Sequence, residues 1–137
     1  MWLRDASVNA WGYTNGLEAF DNIDDLNARK VTPSGYTAQY SDWRMPTRGE
    51  MMSLIDPEYY QPAVPNTLGT GQHTEGNPFI SLINNSYWTS TTYYNAELEF
   101  MGIIDTTDAW GVDIAQGSMT LRDKVSDYQY VLPVRTP

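Results

Sequence analysis

The chain contains no cysteine. Disulfides, thiolate nucleophiles and cysteine-based zinc sites are therefore excluded, and cysteine usage gives no reading of the redox compartment. Histidine is nearly absent too: His73 is the only one. Positive charge is scarce, with eight Lys and Arg against seventeen Asp and Glu, a formal net charge of −9 over 137 residues. So acidic a chain repels nucleic acid and anionic membrane surfaces, and the same field repels sulfated glycans. Apolar runs are short, and none approaches the roughly 20 residues of a membrane-spanning helix. No basic-then-apolar leader opens the chain.

Aromatic residues are plentiful. Five Trp and ten Tyr within a 41% hydrophobic composition fit one globular domain over residues 1–137, long enough to bury a core. The densest local specification lies in Ser41–Asp56. Thr47 and Glu50 have the spacing of a capping box, and Pro46 disfavours helix at the residue before it. Met51, Leu54 and Ile55 share a helical face, and Pro57 stops the helix. Trp43 offers a large ring for burial beside the donor fork of Arg44. Asp42 and Arg44 form either a ligand clamp or, on the simpler reading, a locked structural corner, and Arg4 and Arg135 read as similar structural groups.

Residues 1–6 read as a strand. A helix capped by Asn15 follows, with Leu17, Phe20, Ile23 and Leu26 along one flank and Ala19 beside them, and Asp21, Asp24 and Asp25 on the wet side. The helix of the Trp43 corner comes next. Residues 57–79, rich in Pro and Gly, form a long irregular loop, of the kind that in a compact domain carries function. Strands then dominate: 87–94, 98–104, a hairpin of 110–114 and 119–121 about Gln116-Gly117, and 128–134 with Tyr128, Tyr130, Leu132 and Val134 as one alternating face. Two short helices segregated from a mostly antiparallel sheet make an α+β fold.

Candidate chemistry is sparse. A His73 relay with Ser81 or Ser90 has no supporting spacing, and with seventeen carboxylates a hydrolytic pair singles out nothing. The expectation is a non-enzyme, with a carboxylate-dependent hydrolase as the minor alternative. Asn95, Glu97, Glu99, Asp105 and Asp108 offer oxygen ligands for calcium, against a plain solvated acidic loop. Trp11, Tyr13, Tyr59, Tyr60, Tyr93 and Tyr94 lie in loops or at strand ends, where such rings serve recognition, the alternative being burial in a small core. Trp43, Trp88 and Trp110 read as core.

Several blocks resemble one family, in its order and from end to end. They are Met1-Trp2-Leu3-Arg4-Asp5-Ala6, Asp42-Trp43-Arg44-Met45-Pro46-Thr47 with Glu50-Met51 and Leu54-Ile55-Asp56, Tyr87-Trp88-Thr89-Ser90-Thr91, Ala109-Trp110-Gly111-Val112-Asp113 with Gly117, and Tyr130-Val131-Leu132-Pro133-Val134-Arg135. The pattern is similar to the Lcl C-terminal domain family, named for a bacterial collagen-like surface adhesin. The resemblance implies a C-type-lectin-like fold with strand 1–6 paired to strand 128–135 and a ligand site on the long central loop region. It also implies sequence upstream of Met1, because Met1 falls inside a strand of the family pattern. Function then reads as extracellular or cell-surface recognition of a glycan or protein through the 57–79 loop and the strand-end aromatics, with calcium as the implied ion. The alternative is a structural or decorating subunit that oligomerises or attaches to a larger surface fibre or adhesin.

Overall fold

The computed structural model describes residues 1–6, 14–33, 36–37 and 39–136. Among these, three helices and one three-stranded sheet form: α1 (Gly16–Asn27), α2 (Arg48–Met52), β1 (Ser86–Thr92), α3 (Ala96–Phe100), β2 (Asp108–Asp113) and β3 (Ser118–Asp123). The expected α+β class holds. The sheet is antiparallel in the order β1-β2-β3.

The sheet divides two cores. Successive strand side chains point to opposite faces, so the neighbours Tyr87 and Trp88 part company. Trp88 packs with Ala19, Ile23, Leu26, Trp43 and Met45 beneath α1. Tyr87 packs with Met51 of α2, Val64, Phe79, Val112 and Ile114 on the other face. Val131 and Leu132 split in the same way, one to each core.

That split corrects the expectation for residues 128–134. They form no regular strand with one wet face, because the segment is wedged between both cores and Val131, Leu132, Pro133 and Val134 are all buried. Its backbone is held from several sides. Thr14 and Gln129 exchange two bonds (3.0 and 2.9 Å), and Trp88 N–H donates to Tyr130 C=O at 2.9 Å. Arg44 and Val134 also exchange two bonds (2.9 and 3.0 Å). The two ends of the chain lie antiparallel, but through an isolated bridge and a few bonds rather than as the two paired strands expected: Leu3 N–H donates to Pro133 C=O (3.0 Å), Arg135 N–H to Met1 C=O (2.8 Å), and Trp2 bridges Val134.

Several local expectations change. Residues 1–6 form no regular strand, only isolated bridges at Trp2 and Asp5. The helix of the Trp43 corner, α2, ends at Met52, so Leu54 and Ile55 lie beyond it rather than on its face, well before Pro57. In α1 the buried face is Gly16, Ala19, Ile23 and Leu26, while Leu17 and Phe20 are 57% and 50% exposed. A strict three-residue repeat drifts about 60° per step around a helix of 3.6 residues per turn, so Leu17 sits half a turn away from Leu26. Residues 98–104 are not a strand. Asn95 caps α3 by accepting from Glu97 N–H and Leu98 N–H. Gly102, at φ +78°, ends it with the paired bonds Ile103 N–H to Leu98 C=O and Gly102 N–H to Glu99 C=O that define a Schellman close.

Residues 57–79 are irregular but stitched down. Gln61 N–H donates to Ala115 C=O (2.9 Å), Ala63 N–H to Ile114 C=O (2.7 Å) and His73 N–H to Val64 C=O (2.8 Å). Ala63, Val64 and Phe79 are buried. The Gln61–Pro62 and Asn77–Pro78 peptides are cis.

Candidate functional site

The Trp43 corner is a structural lock. The Asn27 amide, at the end of α1, grips the Trp43 backbone twice: Nδ2 donates to Trp43 C=O and Oδ1 accepts from Trp43 N–H, both at 2.8 Å. The indole Nε1–H donates to Tyr36 Oη at 2.9 Å, and the ring is buried. Arg44 forms a bidentate pair with Glu50 (2.8 and 2.7 Å), and Glu50 also accepts from Thr47 N–H to complete the capping box. Arg44 and then Thr47 hold the Glu50 carboxyl down at about 2. Arg135 makes a second fork on Asp42 (2.7 and 3.0 Å) while lying 3.8 Å above the Tyr40 ring. Its guanidinium keeps the Asp42 carboxyl below the usual carboxylate range. Asp42 and Arg44 are thus engaged by the fold, and Pro46 is buried beside them. No sequence signal pointed to Asn27, which lies sixteen residues before its partner.

The candidate recognition residues separate into two groups at opposite ends of the sheet. Tyr59 and Tyr60 sit with the 57–79 segment, which bonds to Ile114 and Ala115 beyond the end of β2. There Tyr59 is half-buried and Tyr60 is 63% exposed, with its carbonyl accepting from Gln72 Nε2. Tyr93 and Tyr94 follow β1 at the other end, where Tyr93 N–H donates to Asp108 C=O at the start of β2. The seven residues of β1 put about 20 Å between those ends. The 57–79 loop and the strand-end tyrosines therefore do not form one surface. Trp11 and Tyr13 lie outside the described residues.

The Tyr93 end is built on a rigid base. Tyr93 meets Trp110 edge to face with centroids 5.7 Å apart, and the Arg48 guanidinium lies 5.0 Å above the Trp110 ring. Trp110 is only partly buried, so it is less deeply sunk than the fully core Trp43 and Trp88. Beyond this base the chain makes the excursion 93–107 that carries α3. Its tip exposes Phe100 (94%), Met101 (71%), Ile103 and Ile104 (75%). Five large apolar residues within 98–104 were visible in the sequence, but their alternation read as a strand. A helix of five residues has no room to bury such a set against the sheet.

The suggested calcium ligands share that excursion without forming a shell. Asn95 Oδ1 is occupied as the α3 cap. Asp105 Oδ1 accepts from Thr107 N–H (3.0 Å) and Thr107 Oγ1–H (2.7 Å), bonds that lower its carboxyl below the usual range. Glu97 and Glu99 are exposed on α3, and Asp108 sits in the ladder opposite Asp123. Among the described residues no three His, Asp or Glu side chains group closely enough to hold a metal ion. As for a relay, His73 Nε2 lies 3.1 Å from Phe79 C=O, and Ser90 Oγ–H donates to Pro46 C=O at 3.3 Å.

No helix among the described residues is long and apolar enough to cross a membrane. Comparison with curated proteins and with solved structures gives no match. A family model does match, and it spans residues 1–135, nearly the whole chain. With the buried tryptophan corner and the paired chain ends on the page, that match places the chain in the Lcl C-terminal domain family.

Proposed function

We propose that this domain is a non-enzymatic recognition module of the bacterial cell surface or its surroundings, built on a C-type-lectin-like plan, that captures a protein through the 93–107 excursion. Family membership supports the surface-associated role. The observation that carries the protein-binding reading is the exposed run Phe100, Met101, Ile103 and Ile104. Contiguous apolar surface of this kind marks interaction sites, and burying each large side chain is worth about 1.5–3 kcal/mol. Glu97, Glu99 and Asp105 flank the tip, so the fitting partner presents an apolar groove rimmed by Lys or Arg. Glycan is the second reading, favoured by the exposed ring of Tyr94 beside the same excursion and by the stacking of sugars on such rings.

The test is a Phe100→Ser/Ile104→Ser variant compared with Tyr60→Ala and Tyr94→Ala, in binding to intact bacterial surfaces, on a glycan array and in light scattering. The reading expects the tip variant alone to lose surface binding. Unchanged binding by the tip variant overturns it. A glycan signal lost in Tyr94→Ala selects the sugar reading. A wild-type oligomer that the tip variant converts to monomer selects the structural, fibre-forming role.

A further inference from the structure

A second site lies on the other face of the sheet, between α1 and the outer half of β1. Here α1 turns Ala19, Ile23 and Leu26 down into the core and leaves Leu17 and Phe20 standing at its side. Past an irregularity in the β1–β2 register, Ser90 and Thr92 line the same cleft as Trp88 and are left exposed, and the residue paired with Thr92 across the ladder is only Ala109. The result is a cleft of about 170 Å³. Its floor is Met45, Trp88 and Ala109, all buried, and its walls are Leu17 and Phe20. An enclosed apolar cavity of about 150 Å³ accepts a benzene ring, so this more open and more polar cleft is of ring size.

The cleft has one charged residue among its described lining, Lys124. The amine is fixed: Nζ donates to Thr92 Oγ1 (2.9 Å) and Thr106 C=O (2.7 Å). Its backbone is fixed as well, since Lys124 C=O accepts from Gly16 N–H at 2.8 Å. An ammonium has three N–H donors, so among the described residues one remains after these two bonds. The N-terminus of α1 adds no competing anion site, because Asn15 and Lys124 C=O already take its first amides. Asp105 lies within the electrostatic reach of Lys124.

We propose that this cleft binds a small aromatic carboxylate, with the ring over Trp88 and Ala109 between Leu17 and Phe20, and the carboxylate accepting the third N–H of Lys124. The cleft lining is separate from the apolar tip at 100–104, although Thr106, at the base of the same excursion, helps to hold Lys124. A chain with so few cations places a lysine at the mouth of an apolar cleft of ring size, and this pairing selects an amphiphilic anion over a neutral hydrocarbon.

The experiment is a titration of the whole chain with 3-phenylpropionate and, separately, with 3-phenylpropanamide, followed by the backbone amides of Thr92, Ala109 and Lys124 and the Trp88 indole N–H in two-dimensional NMR. A ligand of this size is expected to bind with a dissociation constant of about 1 mM or below. The amide is expected to bind about fivefold or more weakly, for want of the charged acceptor. Lys124→Met is expected to erase the preference for acid over amide, a ratio that a merely structural loosening leaves in place. Ser90→Leu, on an exposed strand position, fills the cleft and is expected to abolish binding of both ligands. Shifts absent at Trp88, Thr92 and Ala109, equal affinity for acid and amide, or an acid preference that survives Lys124→Met each overturn the proposal.

Discussion

Two glycines with the same backbone conformation are predicted to differ sharply in what a methyl group does to them. Gly117 closes the β2–β3 turn at φ +72°, and Gly102 closes α3 at φ +78°. Both lie where an L side chain is strained, and that strain alone costs about 1 kcal/mol when Ala replaces Gly. Around Gly102 a Cβ meets nothing within 4 Å; at Gly117 it would fall 2.7 Å from Ile55 Cγ2 and 3.2 Å from Ala63 Cβ. Ala63 is fully buried and bonded through its backbone to Ile114, so it cannot retreat. Overpacking of this kind adds about 1–3 kcal/mol. Gly102→Ala is therefore expected to destabilise by about 1 kcal/mol, and Gly117→Ala by about 2–4 kcal/mol. Urea unfolding followed by tryptophan fluorescence measures both, with equal m-values showing that the comparison is fair. Ile55→Ala removes the clashing methyl, so the double variant with Gly117→Ala is expected to recover about 1 kcal/mol or more relative to additivity. The reasoning fails if the two glycine variants lose the same stability, or if the Gly117–Ile55 coupling is below about 0.5 kcal/mol.

Other positions give further tests. Asn27→Ala removes both bonds to the Trp43 backbone and is expected to cost about 2 kcal/mol in the same unfolding assay. Glu50, held at about 2, has a folded value below the ordinary 4.5. Its stabilisation is complete above 4.5 and is lost as the pH falls from there towards 2. The deficit of Glu50→Gln, about 1 kcal/mol at neutral pH for so exposed a pair, is expected to shrink to nothing across that window in acid titrations of stability. Arg29 sits at φ +59° just past the end of α1, where Gly is preferred, so Arg29→Gly is expected to raise the urea midpoint by an amount worth about 0.5–1 kcal/mol. Gln129 is fully buried, and its Nε2 has no hydrogen-bond partner among the described residues. Gln129→Met is expected to stabilise by about 1 kcal/mol, and a loss instead would show that the amide is satisfied.

Local signals carried the parts of the fold that are local. The Thr47–Glu50 box and the Asn15 cap lie where adjacent residues placed them, because each depends on contacts within a few positions, whereas Trp43 was legible as a core ring although its distant partner Asn27 was not. The pairing of the chain ends was legible only through family resemblance, since nothing within residues 1–6 points to residue 134. Residues 98–104 misled because Leu98, Phe100 and Ile104 alternate like a strand, while the helix signals at Asn95 and Gly102 are single residues at its margins. The recognition tyrosines could not be sorted into two ends from spacing, since that sorting needs the β1–β2 register. The α1 cleft was invisible for a similar reason: Phe20, Thr92 and Lys124 meet only after the sheet is formed.

The placement of residues 129–135 bears on how the domain comes into being. Within this domain the stretch lies after every other element in chain order, yet it supplies Val131 to one core and Leu132 to the other. Until it arrives, Trp88 and Tyr87 each face an unfilled slot, and the edges at Arg44, Thr14 and Ser86 stand unpaired. Closing of the two cores is therefore close to all-or-none, and the domain without this stretch in place is the form most exposed to aggregation and proteases.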